Sequence, residues 1–297
     1  MENQGKRKEF MYEGSNSFLG EVVGYSDAKY IIIPAPLELT TSFLKGTRFG
    51  PREVINASIS LENYDHETDY EVKDKVYTLN ELELPPNMEK SIVCIKETVS
   101  DVIQDGKTPI LIGGEHTITY GASLAFGKDV AFLIFDAHAD FKRDMLGVEV
   151  NHASVSRLIS QTKDVLIAGV RSLNLNELEE IKKRKMEMIY AEEINSTAKI
   201  NELLKKLRGK KIYISVDMDV FDPSIAPGVG TPQPNGIDYE TFLGLLKKVT
   251  AASEVVGADI NEMRPFSDGK TTEILAAKII EDLIALIEKR ASKRRST

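Results

Sequence analysis

From residue 30 onward, apolar residues fall in short, nearly unbroken blocks separated by amphipathic stretches. The blocks at 30–33, 109–112, 131–135, 165–168, 211–216 and 254–258 are rich in β-branched and aromatic residues. Strands that carry apolar side chains at successive positions are buried on both faces, the pattern of a parallel sheet covered by helices. Between the blocks the period lengthens to that of a helix. Ile92, Ile95, Val99 and Val102 fall on one face, as do Ala276, Ile280, Leu283 and Ile287. The alternation predicts an α/β fold with a mostly parallel sheet between helices. No linker, repeat or low-complexity stretch interrupts it, so residues 1–297 are read as a single domain. Residues 61–87 are acidic, irregular and closed by Pro85-Pro86, and are read as an excursion between elements with no assignable chemistry.

Composition narrows the function classes. Of 297 residues, 42% are hydrophobic and 28% charged, an ordinary globular balance, and the net charge is −8. An acidic chain is a poor partner for nucleic acid and a better one for a small cation. The polar opening MENQGKRKEF has no apolar signal core, and no run approaches the ~18 apolar residues of a membrane span. A cytoplasmic protein without a membrane partner is therefore expected. The single cysteine, Cys94, excludes an internal disulfide, and its helical setting predicts a small buried hydrophobe. The basic tail at 289–295 is read as a solvated helix end that complements the helix dipole. His66 is read as a surface residue.

The candidate chemistry lies at predicted strand ends. The chain has four histidines, and three of them sit in or near short polar motifs. His116 closes GlyGlyGluHis (113–116) after one apolar block. Asp136, His138 and Asp140 follow a second block as AspAlaHisAlaAsp, and Asp217 and Asp219 follow a third. Side chains at i, i+2 and i+4 of an extended chain project to one face. In an open α/β sheet the ligand crevice lies beyond the carboxyl ends of the strands. The geometry therefore predicts four carboxylates and two imidazoles at one rim. Such carboxylates repel one another unless cations hold them, and two divalent ions would balance their charge. Oxygen and nitrogen donors without thiolate favour a hard ion such as Mn²⁺, and a water shared by two such ions becomes a nucleophile near neutral pH.

These motifs resemble those of the arginase/agmatinase (ureohydrolase) family, whose segments GlyGlyAspHis, AspAlaHisXAsp and SerXAspXAsp occur in the same order. GlyThrArgPheGlyPro (46–51), AlaGlyValArgSer (168–172) and the block at 219–232 are similar to further family segments, so that the likeness runs from about 31 to 288. The resemblance implies a three-layer α/β/α sandwich, two Mn²⁺ per subunit, and a homo-oligomer, trimeric or hexameric. It implies that His116 and Asp140 bind one ion, that His138 and Asp219 bind the other, and that Asp136 and Asp217 bridge them. A bridging hydroxide would cut a guanidino C–N bond to give urea and an amine. Asp140 would also hold the nucleophile and pass a proton to the leaving nitrogen. Glu262, in AspIleAsnGluMetArgPro (259–265), would anchor the guanidinium, and His152, in AsnHisAlaSer (151–154), would shuttle protons.

The stretch at 141–157 lacks the SerXAsn element of arginases and, with His152 and Arg157, looks more like agmatinases. Agmatine, giving putrescine and urea, is therefore the expected substrate. Departures stand at Glu115 (for Asp), Gln233 and Asn235 (for Glu and Gly) and Leu158 (for Arg), all outside the implied metal ligands. The alternatives are arginine, aminopropylagmatine or guanidinobutyrate, then a formimino or acyl-amide substrate, and last a non-catalytic assembly subunit.

Overall fold

A computed structural model describes residues 17–20, 23–266 and 269–295. Each of the six apolar blocks forms a strand: β1 (Tyr30–Ala35), β5 (Thr108–Gly113), β6 (Val130–Phe135), β7 (Val165–Val170), β9 (Lys211–Asp217) and β10 (Glu254–Asn261). Two further strands complete an eight-stranded sheet, β4 (Val76–Thr78) and β8 (Glu187–Tyr190), in the order β4-β1-β5-β10-β9-β6-β7-β8. Every neighbouring pair is parallel.

Among the described residues eight α-helices cover the sheet: α1 (Gly50–Ser58), α2 (Met88–Gln104), α3 (Thr117–Ser123), α4 (Val155–Ile159), α5 (Leu175–Arg184), α6 (Thr197–Leu207), α7 (Tyr239–Ala252) and α8 (Thr271–Arg295). Successive residues of one strand feed opposite cores. Tyr30 and Ile32 pack with α1, α6, α7 and α8, whereas Ile31 and Ile33 pack with α2, α3, α4 and α5. The unbroken apolar runs are explained by this two-sided burial, and the architecture is the expected α/β/α sandwich. Among the described residues no helix is long and apolar enough to cross a membrane.

Three expectations need correction. Residues 61–87 are no irregular excursion. They contain a short antiparallel hairpin, β2 (Tyr64–Asp65) with β3 (Tyr70–Glu71), and then β4, which pairs with β1 in the register Tyr30↔Val76. Strands of two or three residues are too short to show a period. Cys94 is half-buried on α2, not buried. The basic tail at 289–295 is tied down at its start, where the Lys289 ammonium donates to the Thr68 carbonyl at 2.6 Å, while its side chains from 293 onward lie outside the described residues.

Buried carboxylates tie α8 to the hairpin and to β1: Asp65 lies 2.9 Å from the Lys278 ammonium, and Glu288 accepts from the Tyr70 hydroxyl at 3.2 Å. Glu288 accepts from the Tyr30 hydroxyl at 2.8 Å, lies 3.1 Å from the Lys75 ammonium, and pairs with Lys29. Burial alone would push its carboxyl up, but the bonds from Lys29, Tyr30 and Lys75 override it and hold the pKa at about 2. Because the folded value is depressed, the stabilisation is fully present above the ordinary carboxylate range and is lost as the pH falls through about 2. Glu288→Gln is expected to remove about 2 kcal/mol at pH 7, discounted for the partly exposed lysines, and much less near pH 2. Urea denaturation at the two pH values would check this, and an equal loss at both would contradict it.

Candidate metal centre

Strands β5, β10, β9 and β6 are contiguous in the sheet, and each delivers polar residues from its carboxyl end. After β5 the chain passes Gly114, where a Cβ would lie 2.0 Å from the Leu37 carbonyl oxygen. Only glycine permits that approach, which lets Glu115 N donate to Leu37 O at 2.7 Å and sets His116 at the head of α3. After β6 come Asp136, His138 and Asp140; β9 ends on Asp217, with Asp219 in the next turn; Glu262 follows β10.

The residues converge, though strand alternation accounts for only part of it. In an extended chain, residues two apart stand about 7 Å apart on one face, which brings them to one rim without aiming their ligand atoms. Then β6 stops at Phe135 and the chain curls, with Asp140 at φ 47° and Glu262 at φ 58° in the left-handed region. Asp219 is carried by a 3₁₀ turn, Met218–Val220. Left-handed backbone at non-glycine residues is strained and persists where surroundings over-determine it. The supports are visible here. Glu177, in the capping box of α5, accepts from Phe141 N at 3.0 Å, and Glu262 N donates to Gly114 O at 2.8 Å.

The outcome is two ligand groups that share one residue: His116, Asp136 and Asp140, and Asp136, His138 and Asp219. His116 Nδ1 lies 3.2 Å from Asp136 Oδ2, 3.0 Å from Asp140 Oδ2 and 3.5 Å from Asp217 Oδ2. His138 Nδ1 lies 2.9 Å from Asp219 Oδ2 and 3.6 Å from Asp136 Oδ1. Outer bonds aim these atoms. Asp136 Oδ1 accepts from His138 N at 2.6 Å, Asp217 Oδ1 from Asp219 N at 2.9 Å, and Asp219 Oδ2 from the Thr231 hydroxyl at 3.0 Å.

Without cations the cluster is electrostatically frustrated. Burial, then repulsion from Asp136, pushes Asp140 up to about 7. Burial, then Asp219 and Asp136, pushes Asp217 well above the carboxylate range. Burial works to lower His138, but Asp219 and Asp136 outweigh it and raise the imidazole to about 12. His116 Nδ1 and Asp136 Oδ2 are buried with no well-aligned hydrogen bond. Buried polar atoms left in this state, facing one another at 3.0–3.5 Å, suit divalent cations that replace the protons.

Several contributors were not legible as site residues. Ser215 Oγ lies 3.1 Å from His116 Nε2 and donates to Asp259 Oδ1 at 2.8 Å, and Asn261 donates to the same oxygen at 2.7 Å. Such a chain orients an imidazole whose other nitrogen faces a metal. The spacing Ser215-X-Asp217 and the run 259–262 held the available signal. Arg171 donates to the carbonyls of Asp219, Phe221 and Gln233, fixing the turn that carries Asp219. Arg157 is 5% exposed and bonds the carbonyls of Lys142 and Arg143, so it shapes the loop and does not face the substrate space. Of the departures, Gln233 Nε2 lies 3.3 Å from His138 Nε2, and Asn235 takes a left-handed φ of 64°. His66 is exposed.

Above the cluster lies a cavity of about 340 Å³ lined by His138, Asp140, Lys142, His152, Asp217 and Glu262, among others. Glu262 is buried, and its Oε1 accepts from His116 N at 2.8 Å. Burial, opposed by that bond and reinforced by Glu115, pushes its carboxyl up to about 8. His152 heads a 3₁₀ turn, His152–Ser154, capped by Asn151. Its ring nitrogens face the Thr40 and Ser42 hydroxyls at 3.2 Å each, and burial holds its pKa below the ordinary value against the pull of Glu115.

A histidine–carboxylate cluster at the carboxyl edge of a parallel sheet, open to a cavity, is the design of metal-dependent hydrolases. The profile of the arginase family matches residues 28–285, and the chain belongs to that family. An agmatinase of Pyrococcus horikoshii is 33% identical over 89% of this chain and 94% of its own length. An N(1)-aminopropylagmatine ureohydrolase of Synechocystis is 30% identical over 89% and 90%. The crystal structure of an agmatine ureohydrolase of Thermoplasma volcanium superposes with a TM-score of 0.86 at 32% identity, covering 98% of this chain and 99% of that one. The chain is thus a ureohydrolase-type enzyme, a hydrolase of guanidino C–N bonds from a family that depends on a binuclear metal centre.

Proposed function

We propose that the enzyme hydrolyses agmatine to putrescine and urea with two Mn²⁺ ions. The observation that carries the reaction is Asp136, shared by two ligand groups that reach the cavity through Asp140 and His138. In this reading His116, Asp136, Asp140, His138, Asp217 and Asp219 would hold the two ions, with Asp136 available to both. When bound, the ions supply a water acidified to near neutral pH and polarise the substrate.

The remaining chemistry falls to the chain itself. Glu262 spends Oε1 on His116 N, which leaves Oε2 to accept N–H bonds from a planar guanidinium. Asp140, in contact with His116 and lining the cavity, accepts a proton from the nucleophile and returns it to the departing nitrogen. His152, half-buried and with burial holding its imidazole below the ordinary value, carries protons between the cavity and solvent. Relatives named for agmatine support the amine-tailed substrate.

One observation favours a second reading. Lys142 lines the same cavity and is exposed, and an ammonium there suits a carboxylate-tailed guanidine such as guanidinobutyrate or arginine. Comparing kcat/KM for urea release from agmatine, aminopropylagmatine, guanidinobutyrate and arginine separates the two. Agmatine is expected to lead by at least about tenfold, or 1.4 kcal/mol. Preference for a carboxylate-tailed compound would overturn the substrate, and urea from none of them would overturn the reaction.

A further inference from the structure

Glu115, one of the departures from the family motif, is fully buried beside His116, and its carboxylate meets the loop that begins at Leu39. Its Oε2 accepts from Leu39 N at 2.7 Å and Thr40 N at 2.6 Å. Its Oε1 accepts from the hydroxyls of Thr40 and Thr117 at 2.7 Å each. A carboxylate met by four donors acts only as an acceptor, so it pins the loop at 39–42 against the head of α3.

The loop in turn grips His152. Thr40 Oγ1 accepts from His152 N at 3.0 Å and lies 3.2 Å from His152 Nδ1, while Ser42 Oγ lies 3.2 Å from Nε2. The Thr40 hydroxyl has one proton and two candidate acceptors, Glu115 Oε1 at 2.7 Å and His152 Nδ1 at 3.2 Å. The shorter, charge-assisted bond takes it. The hydroxyl oxygen must then accept from Nδ1, which requires the imidazole proton to be there.

We infer that Glu115, acting through Thr40, is a positioning residue that holds His152 as its Nδ1–H tautomer, with bare Nε2 turned to Ser42 and the substrate cavity. Deepening the reading of His152 as a proton carrier, the relay supplies what that role requires, a lone pair aimed at the site before substrate arrives. The link is geometric and independent of which guanidino compound binds.

The test is imidazole ¹⁵N spectroscopy on protein loaded with diamagnetic Zn²⁺ and carrying ¹⁵N-histidine, with His152 assigned by its loss in His152→Ala. Wild type is expected to show His152 protonated at Nδ1. Thr40→Val removes the hydroxyl and should abolish that preference, whereas Thr40→Ser should keep it. Glu115→Gln should reverse it: the amide oxygen takes the two backbone N–H groups, the NH₂ donates to Thr40, and the freed hydroxyl proton turns to Nδ1. Wild-type His152 protonated at Nε2, or Thr40→Val with the Nδ1–H tautomer intact, would overturn the inference. Where the tautomer switches, kcat is expected to fall about tenfold at unchanged KM and metal content. An unmoved kcat with a switched tautomer would leave the relay standing and remove His152 from proton transfer.

Discussion

Replacing Asp136 by asparagine is expected to lower kcat at least about a thousandfold, or ~4 kcal/mol, and to halve or abolish metal binding. The size follows from position. Asp136 is the one residue common to both ligand groups, it is fully buried, and its Oδ2 lacks a well-aligned hydrogen-bond partner. An amide keeps the shape but offers a neutral, single acceptor where two cations need a shared anion. Asp217→Asn separates charge from folding. Burial, Asp219 and Asp136 push the Asp217 carboxyl up, and a raised folded value means the ionised form destabilises the fold at neutral pH. The metal-free Asp217→Asn protein should therefore melt higher than wild type, and its gain in Tm on adding metal should shrink. Full activity in either variant would sink the shared-ligand reading.

Glu262→Gln is expected to cut kcat/KM about a hundredfold to a thousandfold while leaving metal content unchanged. The glutamine oxygen can still accept from His116 N, the bond that Oε1 makes at 2.8 Å, so the left-handed turn at 262 retains its tie. Its NH₂ then faces the substrate's own N–H donors, and a charge-assisted pair becomes a donor–donor clash. Stability should move the other way. The carboxyl sits at about 8 in the metal-free protein, above its ordinary value, so its ionisation penalises the fold increasingly as the pH rises toward 8. Melting at pH 5 and pH 9 should show Glu262→Gln gaining stability chiefly at the higher pH. Unchanged kinetics would remove Glu262 from the substrate site.

The long central strands were legible because two-sided burial forces unbroken apolar runs, as in 131–135 and 211–216. The edges were not. β4 spans three residues, and β8 is half-exposed, with Glu187 and Tyr190 in a block whose period is diluted. The cluster of His116, Asp136, His138, Asp140, Asp217 and Asp219 was legible as charged residues stranded after buried runs. Strand alternation explains only part of their convergence, since the curl at Asp140 and the turn at Asp219 are also needed to bring the atoms together. Partners held across long sequence separations left no local pattern. Thr40 meets His152 from 112 residues away, and Ser215 meets His116 from 99. Arg157, conspicuous in sequence as a mark of likeness, proves to brace the loop behind the cavity.

Metal stoichiometry in protein dialysed against Mn²⁺ is the most direct test of a two-metal centre. Two ions per chain in wild type, with fewer in Asp136→Asn, is the result predicted. One ion or none, or two that survive the loss of Asp136, would contradict it.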